Sequence, residues 1–211
     1  MLIRLILRDT WRGWTGGAWL PAIFLLLVAT LFPFVIGPDP LILARLGGGI
    51  VWLGAVLAML LPIDRLIAPD AQGGVIDALR LRGLSLELVM VAKWLASLLA
   101  LLPVLLIASI PAAALFGLAT VQYPPIALAL IVGLPGLAAL SLLVASLTAG
   151  FARAHALNGL LLLPLATPLI IFGAALIGGE PQALRLLAAT SLLLLAVMPF
   201  AAAAAVRALE S

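Results

Sequence analysis

The chain contains no cysteine, one lysine, one histidine and one tyrosine, and only 9% of its 211 residues are charged. Without cysteine there is no disulfide, no thiolate metal site and no thiol nucleophile. The scarcity of charge excludes a soluble domain, where roughly a quarter of residues are charged. With 66% hydrophobic residues, too little polar material remains to cover the surface against water, so the solvent is lipid. The single lysine, Lys93, follows Val91 and Ala92. A Gly-x-x-x-x-Gly-Lys-Ser/Thr loop is therefore missing, and ATP is not bound by that route. No acidic residue falls at mid-span, which removes the proton or sodium relay of many secondary carriers. The high isoelectric point reflects only three net positive charges, distributed by topology, and does not indicate a nucleic-acid partner.

Isolated reactive residues are equally poor candidates for chemistry. His155 sits beside Arg153 in a polar turn, alone and at the wrong depth for a haem or metal ligand; it reads as an interface residue, with Arg153 a secondary cytoplasmic contact. Ser141 and Ser146 have no histidine at their depth, so a serine nucleophile is unsupported. Met59, Met90 and Met198 read as packing. The sequence predicts no catalytic residue, no metal site and no cofactor bound by this chain.

What is present is a series of apolar runs. Residues 1–17 read as an amphipathic interfacial helix: Arg4, Arg8 and Arg12 share one face, and Trp11, Trp14 and Trp19 suit the headgroup region. A lipid-surface anchor is preferred over a partner contact. The sequence predicts an all-α membrane domain over 1–211 with six spans, at about 18–36, 47–63, 88–118, 126–149, 158–177 and 186–206. Residues 37–49 read as a turn entering the second span. Thirty apolar residues after Leu88 would make ~45 Å of helix against a ~30 Å hydrocarbon core. Lys93 therefore argues that the first turns of that helix project from the membrane. Small residues four apart, at Ser141, Ala145 and Ala149 and at Ala201 and Ala205, suggest close helix approach. The N-terminal stretch lacks the order of a cleavable signal.

With the N-terminus inside, nine basic residues lie on the cytoplasmic side and only Arg45 and Arg185 outside. By the positive-inside rule both termini are expected in the cytoplasm. The same side receives the polar segment 64–87, which gathers seven of the 19 charged residues: Asp64, Arg65, Asp70, Asp77, Arg80, Arg82 and Glu87. A connection of four to six residues would suffice to join two spans, so ~24 residues call for a function. Pro69, Gly73 and Gly74 break the segment, and 75–84 reads as a short helix with Asp70 as its cap. Its apolar side, Val75, Ile76 and Leu79 together with Leu86, would face the bundle; Asp77, Arg80 and Arg82 would face the cytosol, with Arg65 and Lys93 flanking at the membrane surface. A six-span chain with no energy source of its own and a cytoplasmic helix offered to a partner fits the membrane subunit of an ATP-driven transporter.

The residues Leu31-Phe32-Pro33, Ile36-Gly37-Pro38, Leu43-Ala44-Arg45, Gly49-Ile50 with Trp52, Arg65, Asp70, Gly74, Leu79 and Ala92-Lys93 narrow this further. With Leu163-Pro164-Leu165, Pro168-Leu169, Ile171-Phe172, Pro199-Phe200-Ala201 and Arg207, they resemble, in matching order, the haem exporter protein B (CcmB) family. The chain departs from the family pattern at Ala71-Gln72-Gly73. The resemblance implies an ABC-2-type exporter membrane subunit of the bacterial inner membrane, acting in cytochrome c maturation. It implies a homodimer paired with an ABC ATPase subunit (CcmA-like) that uses the ATP. A haem-handling membrane protein (CcmC-like) and a small single-span protein (CcmD-like) would sit beside it, and the complex would handle haem. ATP hydrolysis would drive haem delivery or release of the haem-loaded periplasmic chaperone. Segment 64–87 would be the coupling segment, its contacts Arg65, Asp70, Asp77, Arg80, Arg82 and Glu87. Two other classes stay open: a structural scaffold of the maturation complex that moves nothing, and a secondary carrier or channel.

Overall fold

A computed structural model describes residues 2–37, 39–150 and 154–209. These form nine α-helices: α1 Leu2–Thr15, α2 Trp19–Ile36, α3 Pro40–Ala58, α4 Ala68–Gln72, α5 Val75–Leu81, α6 Leu86–Leu115, α7 Tyr123–Thr148, α8 Ala154–Ile177 and α9 Ala183–Leu209. A 3-10 turn, Ile63–Arg65, links α3 to the short α4. Six helical stretches are long and apolar enough to cross a membrane. In hydrocarbon every backbone N–H and C=O must be satisfied within the segment, and long helices achieve this without water.

Local signals explain where the helices begin. The turn expected over 37–49 is much shorter, and α3 is already helical at Pro40. Asp39 caps it, its Oδ1 accepting from the Leu41 and Ile42 N–H groups at 2.9 and 3.3 Å, and Pro40 stands where a helix needs no donor. Ser85 caps α6 by accepting from the Leu88 N–H at 3.4 Å. That helix then runs unbroken through Pro103 and Pro111 to Leu115.

α7 is the axis of the bundle, with most of its length buried against α6, α8 and α9. Trp52 on α3, completely buried, reaches into this axis. A Cβ on Gly133 of α7 would come to 2.5 Å from the indole, and one on Gly173 of α8 would also collide with it. Only glycine lets both helices approach the ring, whose Nε1 donates to the Ile170 carbonyl at 3.1 Å. A second tie gathers at Pro135, where the Trp94 indole donates to its carbonyl at 3.1 Å and the next N–H, of Gly136, donates to Ser191 Oγ at 3.0 Å. Three helices thereby share the irregularity that a mid-helix proline creates.

The small-residue faces fall mostly where the spacing places them. Ser141 and Ala145 are buried in α7, whereas the fully enclosed alanines of α9 are Ala202 and Ala203, and the expected Ala201 and Ala205 are only half-buried. Met59 and Met90 are core residues, and Met198, partly buried, packs against the margin of the core. Alternating spans bring one set of ends together: Glu87 at the start of α6 is ion-paired with Arg207 at the end of α9. Asn158 near the start of α8 donates to Asp64 and lies 2.8 Å from Thr148 Oγ1 at the end of α7. This end, with α1, α4 and α5, is the basic end of the molecule.

Candidate functional site

The basic end is built around Asp70. The carboxylate was expected to cap the helix after it; instead it sits inside α4 and is 4% exposed. Gly74, at φ +66°, starts α5 in its place. Isolated burial of a carboxylate costs several kcal/mol, and here three cations answer it. Lys93 Nζ lies 2.5 Å from Oδ2, Arg8 Nη2 3.0 Å from Oδ2, and Arg12 Nη1 3.2 Å from Oδ1. Lys93, itself 5% exposed, also donates to the Leu66 carbonyl at 3.2 Å and to Asp9 Oδ2 at 3.4 Å. Asp9 in turn holds Arg8 at 2.7 Å. The lysine expected at the membrane surface beside the island is thus its internal counter-ion.

This network joins three parts of the chain that are far apart in sequence: α1, α4 and the first turns of α6. Uncharged contacts hold the same junction. Thr10 Oγ1 donates to the Ala96 carbonyl at 3.4 Å, Trp14 Nε1 to the Ala100 carbonyl at 3.2 Å, and Leu5 is buried. The anchor reading of α1 therefore covers only one of its faces. Ile3, Leu7, Trp11 and Trp14 form an exposed apolar ridge, but Arg8 and Arg12 turn onto the island. Charge spacing put Arg4, Arg8 and Arg12 on one face; it could not tell whether that face met water or a buried carboxylate.

The remaining predicted contacts separate into outward and tethered groups. Asp77, Arg80 and Arg82 are exposed on and just after α5, while Ile76 is buried and Leu79 packs against the core. α5 stops at Leu81, short of the expected 84, and Gly83 turns the chain away at φ +82°. Arg65 is exposed and donates to the Gly16 carbonyl, pinning the turn between α1 and α2. Glu87 is engaged by Arg207. Arg153 and the side chain of His155 lie outside the described residues.

The sequence reading missed Leu81, a leucine 90% exposed at the end of α5. Its register was the available signal: Ile76 and Leu79 are three apart on the inner face, and Leu81 belongs to neither that face nor the next turn of it. A large apolar side chain on a charged, water-facing helix is the kind of residue that anchors a protein contact. Among the described residues no three of His, Cys, Asp and Glu converge to hold a metal ion.

Six helices long and apolar enough to cross a membrane, with a polar segment held against them by a buried ion cluster, define a multi-pass membrane protein. The chain belongs to the CcmB protein family, whose model matches residues 1–209. Among its relatives, Heme exporter protein B of Paracoccus denitrificans is 41% identical over 214 residues, covering 98% of this chain and 97% of that protein. Heme exporter protein B of Bradyrhizobium diazoefficiens is 39% identical, with 91% of this chain and 90% of that protein aligned. The Escherichia coli K12 protein of the same name is 39% identical over 197 residues, covering 89% and 88%.

Proposed function

We propose that this chain is the membrane subunit of an ABC-type complex of cytochrome c maturation in the bacterial inner membrane, and that α5 is its coupling helix. In this reading the basic end faces the cytoplasm, a separate CcmA-like ATPase subunit seats on α5, and a second copy of the chain completes the pair. ATP is hydrolysed by the partner. The chain converts that event into haem delivery or release of the haem-loaded periplasmic chaperone, beside CcmC-like and CcmD-like partners. The name of these relatives, heme exporter, supports the cargo class.

One observation carries the reading: α5 is fastened on its inner side and exposed on its outer side. Ile76 and Leu79 hold it to the bundle, α4 beside it is locked through Asp70, and its outer side offers Asp77, Arg80 and the exposed Leu81. A helix that is pushed by a partner must be stiffly joined to what it moves. The ion cluster supplies that joint, because α6 contributes Lys93 to it and continues across the bundle. Asp70 and Lys93, both buried, transmit rather than touch. Direct contact falls to Asp77, Arg80, Arg82 and Leu81, with Arg65 and Glu87 at the margins.

Co-purification tests this. Asp77→Arg with Arg80→Glu, and separately Leu81→Asp, should abolish capture of the ATPase subunit while the chain still inserts and matches wild-type thermal stability in detergent. Capture at wild-type strength by both variants would remove α5 from the interface. Complex formation intact but indifferent to ATP hydrolysis would instead favour the scaffold.

A further inference from the structure

At the junction of α1 with the bundle lies a recess of about 280 Å³, near the lower limit of the ~300–1,000 Å³ typical of small-molecule sites. Its walls come from α1, the Gly16–Gly17 turn, the start of α2, the 61–66 segment and α6. Two kinds of surface meet in it. Leu20, Leu61, Leu66 and Leu101 supply apolar wall, and Arg12, Arg65 and Lys93 supply positive charge. The two carboxylates at the recess, Asp9 and Asp70, are already engaged: Asp9 by Arg8 and Lys93, Asp70 by Arg8, Arg12 and Lys93. Four cations, with Arg65, thus stand against two carboxylates, so the recess carries excess positive charge. Arg12 keeps 57% of its side chain exposed despite its pairing, and a guanidinium has five N–H donors, more than one carboxylate can use.

The depth of the recess identifies its occupant. Trp11, Trp14 and Trp19 are all exposed beside it, and tryptophan gathers at the headgroup level of a bilayer. From Leu20 an exposed apolar ridge of α2 leads away through Ile23, Leu27 and Leu31. We propose that the recess binds one anionic phospholipid per chain. Its phosphate would be held between Arg12 and Arg65, and an acyl chain would lie along that ridge. A phosphate between the two arginines would bridge α1 to the 61–66 segment, adding an external clamp to the internal one at Asp70. Arg65 also borders the proposed ATPase contact, but lipid retention is read on the isolated chain, so this binding stands or falls apart from the coupling reading.

The test uses the full chain purified in mild detergent, with phosphatidylglycerol and phosphatidylcholine of matched acyl chains as probes. Native mass spectrometry should retain one phosphatidylglycerol per chain in preference to phosphatidylcholine. One basic residue near a headgroup is worth about fivefold in affinity, so Arg12→Gln with Arg65→Gln should weaken retention on the order of twentyfold. Arg65→Lys should keep most of it. Leu101→Trp, which fills the recess without altering charge, should also displace the lipid. Quenching of the native tryptophans by brominated lipid needs no variant, and brominated phosphatidylglycerol should quench more than brominated phosphatidylcholine at equal mole fraction. Equal retention of the two lipids, or retention unchanged in both the arginine and the Leu101 variants, would overturn the proposal. So would competition by soluble glycerol phosphate as effective as that by lipid, since the site would then be one for free phosphate.

Discussion

α4 and α5 lie two residues apart in the same polar segment and are both short, yet they use their charge in opposite ways. α4 buries its one charged residue, Asp70, among three cations. α5 buries Ile76 and turns Asp77 and Arg80 outward. The contrast shows that charge in a membrane protein's loop has two uses. Inside, it fixes a joint, because separating a low-dielectric pair leaves an uncompensated ion. Outside, it is nearly neutral for stability and is available to a partner.

Substitutions can break this contrast, beginning with the largest effect. Asp70→Ala removes the shared counter-ion of Arg8, Arg12 and Lys93. Breaking a buried pair costs 3–5 kcal/mol, and Arg8 and Arg12 remain partly hydrated, so about 3 kcal/mol is expected from thermal unfolding in detergent. In this cysteine-free chain a cysteine placed at buried Leu5 should also become reactive to maleimide, because α1 loses its seat. Unchanged stability and an unreactive cysteine would show that the uncharged contacts hold α1 alone. Gly74→Ala comes next. Its φ of +66° costs a residue with a Cβ about 1–2 kcal/mol, and the start of α5 should loosen, detectable as faster amide exchange at Ala78, whose N–H donates to the Gly74 carbonyl at 3.0 Å, with Asp70 unaffected. Leu81→Ala sharpens the comparison from the other side: stability should change by less than about 0.5 kcal/mol, while affinity for a bound ATPase subunit falls.

Much of this was legible in advance for a physical reason. Six runs of apolar residues, each long enough to cross ~30 Å of hydrocarbon, leave few alternatives to a six-span bundle, and the polar segment stands out against them. The inner and outer faces of α5 were also readable, since Ile76 and Leu79 share a face by helical spacing. The direction of Asp70 was not. Its partners lie 62, 58 and 23 positions away, and a carboxylate in a loop looks solvated until those partners are folded against it. Lys93 was misplaced with it, as the two are halves of one interaction. The start of α3 carries a local signal, Asp39 followed by Pro40, while the glycines at 47–49 read as a later boundary. Those glycines are helical instead.

α6 is held by the ion cluster at Lys93 and ends on the opposite face of the membrane. At 1.5 Å per residue the stretch from Lys93 to Leu115 measures about 33 Å. Such a rod acts as a lever: tilting it by about 5° at the clamped point would sweep the far end sideways by about 3 Å. Pro103 and Pro111 are the two points along the shaft where that stroke would be absorbed if the rod yields and passed on if it does not.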